Sequence, residues 1–230
     1  MEHNIDAIRE EAEVLLYELN TKAHFEEFTS GRMTFCDWFY TYKKDIPSFI
    51  KTSLGCTRFV FWDANKSDYV FKMNVDVNDI DYGRQEEYVY NKAVEAGVAE
   101  CFAWIHKIID NGMRSIYAMP YCIVDCYKMS SDSYEYHARQ YCDGMGYDFD
   151  HLTDDQRSEV DDMVDGYSDS DGMMDYVSNS FDSDIYDLFC SFVDDIDLND
   201  LHCGNWGYLN GQLVVVDYAG FGRYLMKEAA

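Results

Sequence analysis

Apolar positions in the first fifty residues recur at helical spacing. Ile5, Ile8, Ala12, Leu15, Leu16 and Leu19 fall near a 3.6-residue period and predict a core-facing helix, with Gly31 as a stop. From Thr57 to Val75 the period shortens. Arg58-Phe59-Val60-Phe61-Trp62 and Asp68-Tyr69-Val70-Phe71-Lys72-Met73 flank the turn-forming Asp63-Ala64-Asn65-Lys66-Ser67, which predicts a hairpin. Residues 84 to 97 read as a second helix, with Val89, Ala93 and Val94 on one side and Gly97 closing it. Two more strands are expected, Cys101 to Ile109 and Ser115 to Val124, around the tight-turn pair Asn111-Gly112. Further on, Ile185, Leu188, Phe189, Phe192 and Val193 predict a buried helix, and a turn at Asn210-Gly211 leads into an apolar strand, Gln212 to Asp217. This order predicts an α+β fold. Its expected parts are a helical extension over 1–52, a sheet with one helix over 53–125, and a helical region over 126–230.

Charge changes this picture in one place. The chain has 230 residues, with 44 acidic and 18 basic side chains and a formal net charge of -26. Residues 143–200 carry 19 of those acids and a single base, Arg157. A pI of about 4.3 excludes the basic footprint that phosphate-backbone contacts require, so no direct nucleic-acid binding is expected. Within the acidic stretch, 154–162 reads as a polar helix and 166–172 as a loop, together forming a surface insertion at about 143–185. The plain reading is a solvated insertion. The sharper one is an anionic docking face over 143–187 for a basic partner, or a mimic of a DNA backbone.

Eight cysteines are spaced without a C-x-x-C pair and several sit in apolar runs such as Leu188-Phe189-Cys190, so reduced, buried thiols are expected rather than zinc. No apolar run approaches the roughly 18 residues of a membrane span, and the start, Met1-Glu2-His3-Asn4, does not read as a secretory leader. The expectation is a cytoplasmic protein without a membrane partner.

The residues that point to chemistry lie late in the chain. Asp200 and Asn205 stand five apart in Asp200-Leu201-His202-Cys203-Gly204-Asn205, and Asp217 ends an apolar strand twelve residues later. Phosphoryl transfer needs an acceptor hydroxyl oriented and its proton taken while metal ions neutralise the triphosphate, and three oxygen groups at this spacing suit one nucleotide–metal centre. The alternative is a turn at Gly204-Asn205 and a strand that merely ends in Asp217. The complete motif resembles the protein-kinase-like superfamily, and its D-L-H-x-G-N form is similar to aminoglycoside and choline kinase relatives and to minimal protein kinases of tailed bacteriophages.

That resemblance implies a two-lobed fold with a truncated helical C-terminal lobe, and ATP and Mg²⁺ as cofactors. It makes Asp200 the base or orienter of the acceptor, and Asn205 and Asp217 the metal ligands. His202 stands where protein kinases place a phosphate-contacting Lys. Lys72 takes the place of the V-A-I-K lysine, with Glu86 favoured over Glu87 as its helix partner. Gly55 and Arg58 belong to the loop that would cover the nucleotide, Arg58 as a phosphate clamp. Met119, Pro120 and Cys122 fall in the strand-to-hinge segment that would hold adenine, with an apolar edge strand as the competing explanation. The chain departs from the pattern where Leu198-Asn199 precedes Asp200 in place of H-R, and where Asp217-Tyr218-Ala219-Gly220 replaces D-F-G.

The function expected on this resemblance is ATP- and Mg²⁺-dependent transfer to Ser or Thr of a host protein, in the host cytoplasm if the chain is phage-encoded. Two alternatives come with it. One is a kinase-fold pseudoenzyme whose acidic face binds and inhibits a host nucleic-acid-binding protein. The other is a small-molecule kinase of the aminoglycoside or choline type.

Overall fold

Phe59, Phe61, Phe71 and Met73 alternate with Arg58, Val60 and Lys72 along two paired strands, and this alternation gives the central sheet two unlike faces. The computed structural model describes residues 4–54, 57–66, 68–75 and 81–219. It is a mixed α+β fold with an antiparallel sheet and helices. The sheet comprises β1 (Ile50–Leu54), β2 (Arg58–Asp63), β3 (Tyr69–Asn74), β4 (His106–Ile109) and β5 (Ile116–Pro120), in the order β1-β2-β3-β5-β4. Strand β5 is therefore interior, and the edge-strand explanation for 117–122 does not apply.

Helices α1 (Ile5–Ala23), α2 (Phe25–Thr29) and α3 (Phe35–Tyr42) share a core with the apolar face of the sheet. The Phe59 ring lies 5.6 Å from Phe25, 5.2 Å from Phe35 and 5.7 Å from Trp38, and Trp38 Nε1 donates to the Ala23 carbonyl at 2.7 Å. Each such buried aromatic contributes about 1.5–3 kcal/mol over its exposed state. Residues 4–52 are thus built into the sheet's own core rather than forming a separate extension. The first helical break also comes earlier than Gly31, because His24 adopts a left-handed φ of 50° that ends α1 and starts α2.

Two compact units divide the chain, with boundaries at Tyr90/Asn91, Ala103/Trp104 and Tyr121/Cys122. These boundaries explain why both strands expected around Asn111 are shorter than their apolar runs. Of Cys101 to Ile109, only His106–Ile109 joins the first unit's sheet, while Phe102 bridges to Val215 in the second unit. Of Ser115 to Val124, Ile116–Pro120 belongs to the sheet, while Ile123 bridges to Tyr208. Hydrophobic continuity along the sequence does not show which core each half enters.

Helix α4 (Tyr82–Ala96) runs across the first boundary and is closed by Gly97 at φ +79°. The second unit continues with α5 (Cys126–Met145), α6 (Asp154–Met163), α7 (Ser170–Val177), α8 (Ser183–Asp195) and a hairpin of β6 (Trp206–Leu209) and β7 (Gln212–Val215). Its core gathers Phe102, Phe189, Trp206 and Tyr218, with Phe102 5.2 Å from Tyr218 and Phe189 6.0 Å from Trp206. The stretch read as a loop, 166–172, is a turn only as far as Asp169. There the Asp169 side chain accepts from Gly172 N and starts α7. Gly172 is needed because a Cβ at that position would lie 2.4 Å from the Gly166 carbonyl oxygen. Among the described residues no helix is long and apolar enough to cross a membrane.

Candidate functional site

The polar face of the first unit's sheet is set by register. Lys72 faces Val60 on one side and Tyr117 on the other, and Arg58 faces Asn74, so these five side chains share a face. The first turns of α4 lie on it, with Gly83 so near that a Cβ there would be 2.2 Å from the Tyr117 ring. Asp81 anchors the helix start. It accepts from Arg84 N at 3.2 Å and from the Tyr117 hydroxyl at 2.8 Å, and burial together with this carboxylate pushes the Tyr117 hydroxyl well above its usual range.

With α4 fixed in this way, Glu86 reaches β3. Its Oε1 accepts from Lys72 Nζ at 3.1 Å, and its Oε2 pairs with Arg58. The three residues are 0%, 7% and 5% exposed respectively, so this is a buried ion cluster and not a surface pair. Glu87, one residue on, turns to β4, accepting from Lys107 N at 3.0 Å and pairing with His106 at 2.9 Å. Of the two candidates the structure therefore places Glu86 on Lys72. Arg58, read from sequence as a loop-borne phosphate clamp, lies in β2 and shares the Glu86 carboxylate. Gly55 and Gly220 lie outside the described residues.

Met119 and Pro120 are buried in β5, opposite Val70 and Tyr69. Tyr121 N donates to the Asp68 carbonyl at 2.9 Å, and half-buried Cys122 opens the second unit.

The second unit carries the Asp200–Asp217 set. Leu201 and Trp206 are buried, and Trp206 Nε1 donates to the Leu201 carbonyl at 2.7 Å, which anchors the loop at both ends. Just before Leu201, Asp200 stays exposed. Asn205 is 8% exposed, and its Nδ2 donates to the Asp200 carbonyl at 2.6 Å. The carbonyl of Asn205 accepts from Val216 N at 2.8 Å and from Asp217 N at 3.4 Å, so Asn205 and Asp217 are backbone neighbours. His202 Nδ1 accepts from Gly204 N at 3.0 Å, which leaves its proton on Nε2, 3.6 Å from Asp200 Oδ1. A Cβ at Gly204 would stand 2.8 Å from the His202 ring, so the glycine of the motif permits this contact.

Among the described residues no group of three His, Cys, Asp or Glu side chains could hold a metal. An Mg²⁺–nucleotide asks for less, namely one or two protein oxygens with water and phosphate completing the octahedron. Asn205 donates through Nδ2 and so presents Oδ1 as its acceptor, an oxygen of the hard type that Mg²⁺ takes.

Residues outside the motif also position this loop. The Ser170 hydroxyl donates to the Asn199 carbonyl at 2.7 Å and accepts from Leu201 N at 2.9 Å, bracketing Asp200. Cys203 N donates to the Ser168 carbonyl at 3.1 Å. The Cys126 sulfur lies 2.8 Å from that of Cys203. Nothing in the sequence links partners 31 or 77 residues apart, so pattern reading passes over them. No family model matches the chain, and no curated protein or solved structure matches it.

Proposed function

We propose that the protein is an ATP- and Mg²⁺-dependent phosphotransferase of two-lobed, protein-kinase-like architecture, acting on Ser or Thr of a protein substrate as the minimal phage-type kinases it resembles do. The observation that carries this reading is the buried Lys72–Glu86 pair between the third strand and the following helix, in a chain that also presents Asp200, Asn205 and Asp217 at motif spacing. Glu86 holds Lys72 extended so that its ammonium can bind triphosphate oxygens. Asp200, exposed beside His202, accepts the proton of the acceptor hydroxyl. Asn205 and Asp217 would hold Mg²⁺, which supplies charge neutralisation on the phosphates. The loop's anchors fix Asp200 before substrate arrives, so little reorganisation is left to the reaction step.

The test is labelling of a bacterial lysate with radiolabelled ATP by the wild type, Asp200→Ala and Asp217→Ala. Wild-type labelling at least about 10²-fold above both variants is expected for loss of a general base or a metal ligand. Equal labelling by all three sinks the reading.

A second reading has an observation of its own. Eighteen of the nineteen acids in 143–200 are exposed. Helix stability accounts for some of them: Asp169 and Asp182 are N-caps, and Asp154 and Asp155 lie in a first turn. It does not account for Asp161, Asp162, Asp194 and Asp195, which sit at the C-terminal ends of α6 and α8, where the helix dipole opposes them. These acids suit an anionic face for a basic protein. Capture of such a partner by wild type and Asp217→Ala, but not by a variant with Asp161, Asp162 and Asp165 changed to Asn, supports it; capture unaffected by salt counts against it.

A further inference from the structure

Cys126 and Cys203 are the one thiol pair that the fold brings together beside the candidate loop among the described residues. Their sulfurs are 2.8 Å apart, so closing to the disulfide length of about 2.05 Å needs a shift under about 1 Å. The two differ in access. Cys126 is exposed at the first position of α5, whereas Cys203 is buried, and burial together with Cys126 pushes the Cys203 thiol up to about 11. Cys203 is also the centre of the motif loop. It lies between His202 and Gly204, its backbone N–H is fixed to Ser168, and two residues on Asn205 holds the Asp200 carbonyl.

We propose that Cys126 and Cys203 form a reversible disulfide, made by peroxide, that pins the 200–205 loop to the N-terminus of α5. The exposed Cys126 meets the oxidant. Its thiolate attacks one peroxide oxygen, the O–O bond breaks, and the departing hydroxide takes up a proton to become water, leaving Cys126 as the sulfenic acid. The Cys203 sulfur then attacks the Cys126 sulfur, the S–O bond breaks and a second water leaves with the Cys203 proton. Two thiols and one hydrogen peroxide thus give one disulfide and two waters, the two sulfurs supplying the two electrons that reduce the peroxide. A dithiol reverses the bond by exchange. This inference rests on the second unit's geometry alone and stands whether or not the protein transfers phosphate.

The experiment treats the full chain with hydrogen peroxide, alkylates the remaining thiols and maps peptides by mass spectrometry. The expected product is a Cys126–Cys203 cross-linked peptide, two hydrogens lighter than the reduced pair and lost with dithiothreitol. Exposed Cys36 serves as the control for oxidant dose. The melting temperature should rise by several degrees on oxidation of the wild type, because the bond spans 77 residues of chain, and should not rise for Cys126→Ser. Cys126 lies on the surface, so that variant is expected to fold even if Cys203→Ser does not. The proposal is overturned if Cys126 and Cys203 both stay alkylatable at a dose that oxidises Cys36, or if Cys126 proceeds to sulfinic acid while Cys203 remains a free thiol. Neither readout involves ATP, so inactivity in phosphate transfer leaves this result unaffected.

Discussion

Lys72, Arg58 and Glu86 in the first unit are almost wholly out of solvent, while the side chains of Asp200 and His202 in the second are 60% and 48% exposed. The first set is fixed by side-chain ion pairing between a strand and a helix. The second is fixed through the main chain, with carbonyls and N–H groups tied by Asn205, Trp206 and Ser170 while the Asp200 carboxylate stays in water. A charge can be buried provided a counter-charge accompanies it, as Glu86 accompanies Lys72 and Arg58. If Asp200 takes the proposed role, a carboxylate that exchanges a proton with an incoming substrate has to remain accessible, and its precision comes from the backbone behind it.

The widest gap this comparison predicts lies between Glu86 and Asp200. Glu86→Ala leaves two buried cations without their carboxylate and should lower stability by about 3–5 kcal/mol. Asp200→Asn touches no buried partner and should stay within about 0.5 kcal/mol of wild type. Urea denaturation of the two variants side by side measures the difference, and similar losses would break the comparison.

A smaller effect tests the backbone half. Ser170→Ala removes the donor to the Asn199 carbonyl and the acceptor for Leu201 N, at a cost of about 1–2 kcal/mol. On the proposed phosphotransferase reading, because those bonds bracket Asp200, phosphate transfer in this variant should fall mainly in kcat, with little change in the KM for ATP. A fall in stability with kinetics unchanged would show that the loop keeps its geometry without Ser170.

How far these features are legible in the sequence follows the same division. Local chemistry is plain to read. The β2–β3 hairpin, the close of α4 at Gly97 and the Asn210-Gly211 turn, with φ values of 52° and 86°, are all fixed by residues adjacent in the chain. The pairing of Lys72 with Glu86 is also accessible, because a strand and the helix after it differ in few ways of meeting. Helix α5 is not. Its buried residues are Met129, Ser133, Ala138 and Cys142, a weakly apolar stripe in a polar surround, so periodicity gives little signal although its Asp125 cap and Gly146 stop are in place. Nor are Ser170 and Cys126 legible as neighbours of the motif, since only the packing of α5, α7 and the loop brings them there.

The smallest effect concerns a carboxylate of the first unit that is partly buried with incomplete compensation. Glu11 Oε2 lies 3.6 Å from Lys66 Nζ, while its Oε1 has no hydrogen-bond partner among the described residues. Burial therefore raises its pKa above the ordinary carboxylate range, against the opposing pull of Lys66. A raised carboxyl binds its proton more tightly folded than unfolded, so its contribution to stability is fully present below the unfolded value and is lost as pH climbs through the folded one. Glu11→Gln cannot lose that contribution. The variant should match wild type near pH 3.5 and exceed it at pH 7 by less than about 1 kcal/mol, the limit that partial exposure and the Lys66 pair impose. The exposed Asp148 of the second unit behaves in the opposite sense, because the His151 hydrogen bond lowers its pKa and favours the charged form. Denaturation midpoints of Glu11→Gln and wild type at the two pH values decide the matter, and a variant that is weaker at pH 7 than at pH 3.5 relative to wild type would mean that the Lys66 attraction outweighs burial.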